Sequence, residues 1–326
     1  MKLGVWGRCH PNHMRIAKSA ENQSIFWRAH RFFPNARTAL RAFLSSVMKP
    51  GDLVLLPAYI GWSVREGSGI YDPIRELDLR VDFYRVTKCL WIDLKDLEEK
   101  LDQSGARVLI LVHYFGYVDP AYPEAVELAH SRGILVLEDE AHSMLTHLVG
   151  GRTGRLGDAC IFSLHKLLPV DHGGLLLVRK DREDLLSRVR GQELDVPLPW
   201  EFDLAAISAR RRQNAVILAQ LLESLDGQLS SLRSVPQSGE VPQTYPVVLH
   251  SASRDWIYDV MNKAGYGVVS LYYRLIEPIG AVEFPLSHYI SKRILNLPVH
   301  QDAEERELVS MVGVLSRVLN EREGET

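Results

Sequence analysis

The chain has 326 residues, more than one average domain and enough for a large α/β unit plus a smaller one. Hydrophobic residues make up 46% and charged residues 24%, the mix of an ordinary globular protein. A formal net charge of −3 gives no basis for nucleic acid or an anionic membrane as partner, so an anionic ligand must be held by a local site.

Cys9, Cys89 and Cys160 are odd in number, far apart and without a CxxC pair. Neither a disulfide framework nor a zinc site is expected from them, and a reducing, cytoplasmic compartment is. Met1 to His10 holds Lys2, Arg8 and His10 around a few apolar residues, too few for a signal peptide. No run approaches the roughly 18 apolar residues of a membrane span.

In chain order, Ala36, Ala39, Leu40, Phe43, Leu44, Val47 and Met48 recur at helical spacing behind Asn35, which predicts a helix capped there. Leu53 to Leu56 predicts a strand ending at Pro57. Val108 to Val112 predicts another, followed by His113-Tyr114-Phe115-Gly116. A helical pattern from Pro123 to Ser131 stops at Gly133. Ile134 to Leu137 then predicts a strand that delivers Glu138 and Asp139 at its C-terminal end. Cys160 to Phe162 and Leu175 to Val178 are further short strands. This alternation predicts an α/β fold built on a mostly parallel sheet. The character changes over Glu183 to Leu198. Beyond it the pattern predicts a charged helix (Ala206 to Leu225), a loop (Val235 to Gln243), strands at Tyr245 to Leu249 and Gly267 to Leu271, and a final helix from Ala303 to Arg322. A large domain over 1–186 and a smaller α+β domain over 187–326 are expected.

Ligands of open α/β sheets sit outside the C-terminal ends of the strands, and reactive groups collect there in this chain. Lys166 follows the strand ending at Phe162-Ser163 and leads to Gly173-Gly174. An amine in that place can lose its proton and condense with an aldehyde, and glycines let backbone pass close to a bulky group. The plainer reading is a surface loop lysine. Asp139, at the end of its strand, is placed to partner a ring nitrogen, with His142 three residues on; the plainer reading is a capping aspartate beside a structural histidine. The helix start at Asn35-Ala36-Arg37-Thr38 offers free N–H groups to an anion, as almost any capped helix does. Trp62, just after a strand, is either a stacking aromatic or core.

Taken together, these segments resemble the DegT/StrS-like family of sugar aminotransferases that depend on pyridoxal 5'-phosphate (PLP). The motifs run in order from about residue 34 to 312. Pro50 to Pro57 (PGDLVLLP) is similar to the family's PGDEVIVP element, and Val112 to Gly116 to its VHLYG element. Val136 to Asp139 with Ala141-His142 is similar to EDAAH, Leu156 to Ala159 with Phe162-Ser163 and Lys166 to LGD…FS…K, and Ile294 to His300 to LSLPLH.

The resemblance implies the fold type I PLP-transferase architecture, with a large domain and a smaller C-terminal one. It implies Lys166 as the lysine that binds PLP covalently and Asp139 as partner of its pyridine nitrogen. His142 would lie against the ring, and Ser163 and Thr38, with the backbone at Ala36 and Arg37, would hold the phosphate. It further implies a homodimer, glutamate as amino donor, and a nucleotide-linked keto-sugar as acceptor, in surface polysaccharide or secondary-metabolite biosynthesis. The chain departs from the family where SGTxA would stand at the helix start. The family's stacking aromatic falls on Gly61, one residue short of Trp62. Lys166 follows Ser163 by a shorter interval than in many members, and no GxNxR segment lies between Gly191 and Arg210. Asp139 to Ser143 (DEAHS) also resembles the α-oxoamine synthases, a runner-up PLP enzyme of the same fold. The same motifs would also suit a sugar dehydratase, or a relative that binds PLP without catalysis. A nicotinamide enzyme lacks its GxGxxG turn here.

Overall fold

Apolar runs in the first half of the chain form strands, and the periodic stretches between them form helices. The computed structural model describes residues 29–190, 199–233, 235–251 and 253–323. The readings of Met1 to His10, of Cys9 and of residues 191–198 lie outside these. The elements are β1 (His30–Phe33), α1 (Ala36–Val47), β2 (Leu53–Pro57), α2 (Tyr71–Glu76), β3 (Arg80–Tyr84), α3 (Leu94–Gln103), β4 (Val108–Val112), α4 (Tyr122–Ser131), β5 (Leu135–Asp139), α5 (Met144–Leu148), β6 (Ala159–Ser163), β7 (Gly174–Val178) and α6 (Glu183–Arg188). They continue with α7 (Leu204–Leu222), β8 (Leu229–Ser231), β9 (Thr244–Leu249), α8 (Arg254–Lys263), α9 (Pro285–Ser291), β10 (Ile294–Pro298) and α10 (Glu305–Glu323).

The first seven strands form one sheet in the order β1-β7-β6-β5-β4-β2-β3. Pairing is parallel from β3 through β6, and antiparallel where β7 joins β6 and β1 joins β7. Helices cover both faces, so the strands need unbroken apolar runs, and β2, β6 and β7 are buried at every position. Successive residues still face opposite layers. In β2, Val54 and Leu56 join the core built on α1, while Leu53 and Leu55 join the core built on α3 and α4. In β5, Leu137 takes the α1 side and Val136 the other. Asp139 thereby shares a face with Leu137, and Glu138 and Glu140 share the opposite one.

β8, β9 and β10 form a second, antiparallel sheet in the order β10-β9-β8. It is packed by α7, α8 and α10 through a separate core that includes Leu218, Ile257 and Leu315. The stretch holding Leu275, Ile276, Phe284 and Ile290 returns to the core of the first sheet.

Two expectations change. The strand expected at Gly267 to Leu271 is not formed: Val269 makes a single bridge to Asn296, and the Leu271 N–H is taken by the Asn296 side chain at 2.9 Å. Tyr272, at φ 59°, then turns the chain away, so no ladder propagates. Ile294 to Pro298, met in the sequence only as a motif, is the strand β10.

Candidate active site

A cavity of about 560 Å³ opens at the C-terminal ends of β5 and β6, between the start of α1, the loop after β2 and residues 270–273. Parallel strands that end in register carry their last side chains to one edge. Asp139 and Ser163 therefore arrive together, Asp139 paired in register with Ile161. Asp139, His142, Ser163, Lys166 and Trp62 all line the cavity, with Ala36 and Arg37 at its α1 side.

Lys166 sits in a 3-10 turn directly after β6. Its side chain is exposed to the cavity, and the protein packed around it removes part of its solvation. Loss of solvation accordingly lowers the amine's pKa from its ordinary value, only partly offset by the charges of Asp139 and Glu66. The Nζ lies 3.3 Å from His142 Nε2. Burial, reinforced by Lys166, holds His142 well below the usual histidine range, so its ring is neutral. Its Nδ1 accepts from the Phe115 N–H at 3.4 Å, which assigns the proton to Nε2 and makes the Lys166 amine the acceptor. Loss of solvation and this hydrogen bond both favour the uncharged, nucleophilic form of the amine. Burial pushes the Asp139 carboxyl up, against the pull of Lys166 and a hydrogen bond from the Ala141 N–H at 2.8 Å. Asp139 is thus a turn-former and a cavity group at once, because its second oxygen is not used by that bond.

Asn35 caps α1, its Oδ1 accepting from the Thr38 N–H at 2.9 Å and from Thr38 Oγ1 at 3.0 Å. Thr38 is exposed and absent from the cavity wall, so the structure spends its hydroxyl on the cap. Arg37 turns its guanidinium to the Glu66 carbonyl and stands 3.7 Å from Asp72. Arg37, Glu66 and Ala36 all line the cavity. Gly174 answers to the chain itself: a Cβ there would lie 2.2 Å from the Asn35 carbonyl carbon, so glycine lets β7 pass beneath the start of α1. At Gly174 the close approach is made by Asn35. Trp62 is engaged by the Arg274 guanidinium, 4.4 Å from its ring.

Tyr272 had no reading in the sequence, and Glu138 was read only as arriving beside Asp139 at the end of its strand. Tyr272 lines the cavity and packs against the His142 ring at 5.7 Å. On the opposite face of β5, Glu138 and Glu140 are fully buried with His113. Glu138 accepts from His113 Nε2 at 2.9 Å, the Tyr122 hydroxyl at 2.9 Å, and the Gly154 and Gly157 N–H groups at 2.7 Å. These bonds, led by that from His113, outweigh burial and keep Glu138 below the usual carboxylate range. Burial would depress His113, but Glu140 and Glu138 together raise it to about 9. Burial raises Glu140 to about 7. Neither glutamate lines the cavity. The alternation of faces along β5 was the available signal.

The model of the DegT/DnrJ/EryC1/StrS aminotransferase family matches residues 37–189. A GDP-perosamine synthase from Caulobacter vibrioides is 24% identical over 324 residues, spanning 87% of this chain and 84% of its own. A UDP-N-acetyl-3-dehydro-alpha-D-glucosamine 3-aminotransferase from Acidithiobacillus ferrooxidans is 25% identical over 311 residues, spanning 83% and 79%. Among solved structures, 3-amino-5-hydroxybenzoic acid synthase superimposes with a TM-score of 0.73 at 16% identity, over 94% of this chain and 91% of that one. That likeness bears on the fold, which is the type I PLP-transferase architecture.

Proposed function

We propose that this chain, a PLP-dependent aminotransferase of the DegT/DnrJ/EryC1/StrS family, moves an amino group from glutamate to a keto-sugar carried on a nucleotide. The observation that carries the reading is the meeting of Lys166, Asp139 and a neutral His142 on one cavity wall. The Caulobacter and Acidithiobacillus relatives, named for GDP- and UDP-linked sugars, support the acceptor class.

The cavity fits the cofactor. Its volume of about 560 Å³ lies within the range of small-molecule sites. It presents a lysine amine with a lowered pKa, a carboxyl group with a free oxygen, a serine hydroxyl and a helix start. PLP, when bound, supplies an aldehyde that amines condense with and a protonated ring that takes up electrons from the substrate carbon. Lys166 would hold it covalently and, once displaced by the donor amine, would carry a proton between the donor α-carbon and the cofactor C4′. Asp139 would keep the pyridine nitrogen protonated; a cation beside it reverses the upward push that burial exerts on the carboxyl. His142 would donate from Nε2 to the uncharged form of Nζ. Ser163 and the backbone at Ala36 and Arg37 would take the phosphate, which the positive end of α1 favours.

The same reading carries a homodimer, a domain boundary near residue 186 and a cytoplasmic setting for surface polysaccharide or secondary-metabolite biosynthesis. Among the described residues no helix is long and apolar enough to cross a membrane. The test is a panel of GDP-, UDP- and TDP-linked keto-sugars incubated with glutamate and PLP, read by mass. Formation of an amino-sugar nucleotide together with 2-oxoglutarate supports the reading. A panel without product, alongside turnover of a non-sugar keto acceptor, sinks the sugar assignment.

A further inference from the structure

Family resemblance places a stacking aromatic at position 61, where this chain has glycine. The structure shows what fills the space. A Cβ on Gly61 would lie 2.4 Å from Tyr272 Cδ1 and 3.2 Å from Cε1, so the Tyr272 ring occupies the volume into which a side chain at 61 would project.

The placement is held from several sides. Residues 60–62 pair with 274–276: Trp62 N–H donates to the Arg274 carbonyl at 2.9 Å, and Ile276 N–H to the Ile60 carbonyl at 3.0 Å. On the other flank, the Leu271 N–H is held at 2.9 Å by Asn296 Oδ1, and Asn296 Nδ2 reaches Thr244 Oγ1 at 3.1 Å. Asn296 belongs to the LNLPVH segment, which thereby fixes the loop over the cavity. Between these anchors Tyr272 adopts φ 59°, a conformation that a bulky residue keeps only where its surroundings demand it. Its ring meets Tyr59 at 5.3 Å, Tyr114 at 5.7 Å and His142 at 5.7 Å, and it lines the cavity beside Asp139 and Lys166.

We propose that Tyr272, delivered from the C-terminal part of the chain, is the aromatic wall for the cofactor ring that Gly61 leaves open. Glycine at 61 and tyrosine at 272 form a compensating pair: either position carries the ring, and both together would clash. The proposal rests on the PLP reading above. It makes Tyr272 a cofactor-binding residue and ties the C-terminal segment to cofactor occupancy.

The test compares PLP affinity, by absorbance titration of cofactor-free protein, and the circular dichroism of the bound cofactor band. Tyr272→Phe keeps the ring and should match the wild type. Tyr272→Leu should bind PLP about two- to tenfold more weakly, the range of one aromatic pair, with a weakened cofactor dichroism. Gly61→Phe alone should also weaken binding, through the clash. Gly61→Phe combined with Tyr272→Gly moves the ring across the gap and relieves the positive φ; it should regain most of the affinity that Tyr272→Leu loses. Far-ultraviolet dichroism and the thermal midpoint identify a variant that fails to fold, and the double variant then decides. Tyr272→Leu with wild-type affinity and an unchanged cofactor band overturns this proposal alone, as does a double variant no better than Gly61→Phe. A folded wild type that takes up no PLP overturns the functional reading and this one with it.

Discussion

Lys166, Asp139 and His142 form a chain of dependence that single substitutions can separate. Borohydride reduction in the presence of PLP should fix the cofactor on Lys166, and peptide mapping should find it there and not on Lys180. Lys166→Ala should abolish both the label and transamination, whereas His165→Ala, whose ring sits 3.4 Å from the Ser163 hydroxyl, should keep the label. Because solvation loss lowers the Lys166 pKa, capture of PLP by cofactor-free protein should reach its plateau below the ordinary lysine value of 10.5. Asp139→Asn preserves the turn bond to the Ala141 N–H but removes the charge. A neutral partner in a cavity shielded from water no longer holds the ring nitrogen protonated, so turnover should fall by orders of magnitude. PLP affinity should fall much less, since the covalent link and phosphate site remain. Near-normal turnover would reduce Asp139 to a turn-former. Glu138 and Glu140 offer no replacement, because both are engaged on the other face of β5.

The elements make two further demands. α1 starts directly over β7, and Gly174→Ala would drive a Cβ into the Asn35 carbonyl. Backbone cannot yield as a flexible side chain does, so the variant should lose about 1–3 kcal/mol of stability and weaken PLP binding through the displaced start of α1. Calorimetry with a PLP titration checks both. Beneath β5, the charged form of His113 is favoured in the folded state, with its pKa at about 9. The stability this gives is complete below the unfolded value near 6.5 and is lost as pH rises through 9. Glu140, raised to about 7, acts with the same sign from its ordinary value of 4.5 upward. The thermal midpoint should therefore fall between pH 6.5 and 9, and His113→Gln should flatten that slope. An unaltered slope would mean that His113 does not carry the charge.

For the whole molecule, exposed apolar residues at the cavity wall and elsewhere bear on assembly. Val64, 80% exposed, lies in the loop that forms one cavity wall, and Val282 is 99% exposed. The expected homodimer would cover such residues and complete the mouth. Sedimentation at micromolar concentration should give twice the monomer mass, and a monomer that still turns over substrate would contradict it. The segment around Leu275 to Ile290, which packs on the first sheet's core, would make a division at residue 186 one that the chain crosses back over.

Local signals were enough for much of this. Unbroken Leu/Val runs marked strands covered on both faces, and Asn35 ahead of a 3.6-residue apolar stripe marked α1. Asp139 and Lys166 were legible because a strand's final residues reach the sheet edge wherever the strand lies. What local pattern cannot supply is which distant segments meet. The use of Thr38 on Asn35, the pairing of Gly174 with the start of α1, and the burial of Glu138 under His113 depend on neighbours set by the packing of layers. Gly267 to Leu271 has a strand's composition, yet its backbone donors are met by one bridge and one asparagine side chain, so a ladder never forms. Tyr272, more than 100 residues from Lys166 in the chain (272 − 166 = 106), reaches the site because residues 274–276 pair with 60–62 and Asn296 holds Leu271. Sequence alone determined the α/β sheet and which reactive side chains reach its edge; tertiary packing decided which rings and loops close the cavity, because those contacts exist only once distant segments have packed together.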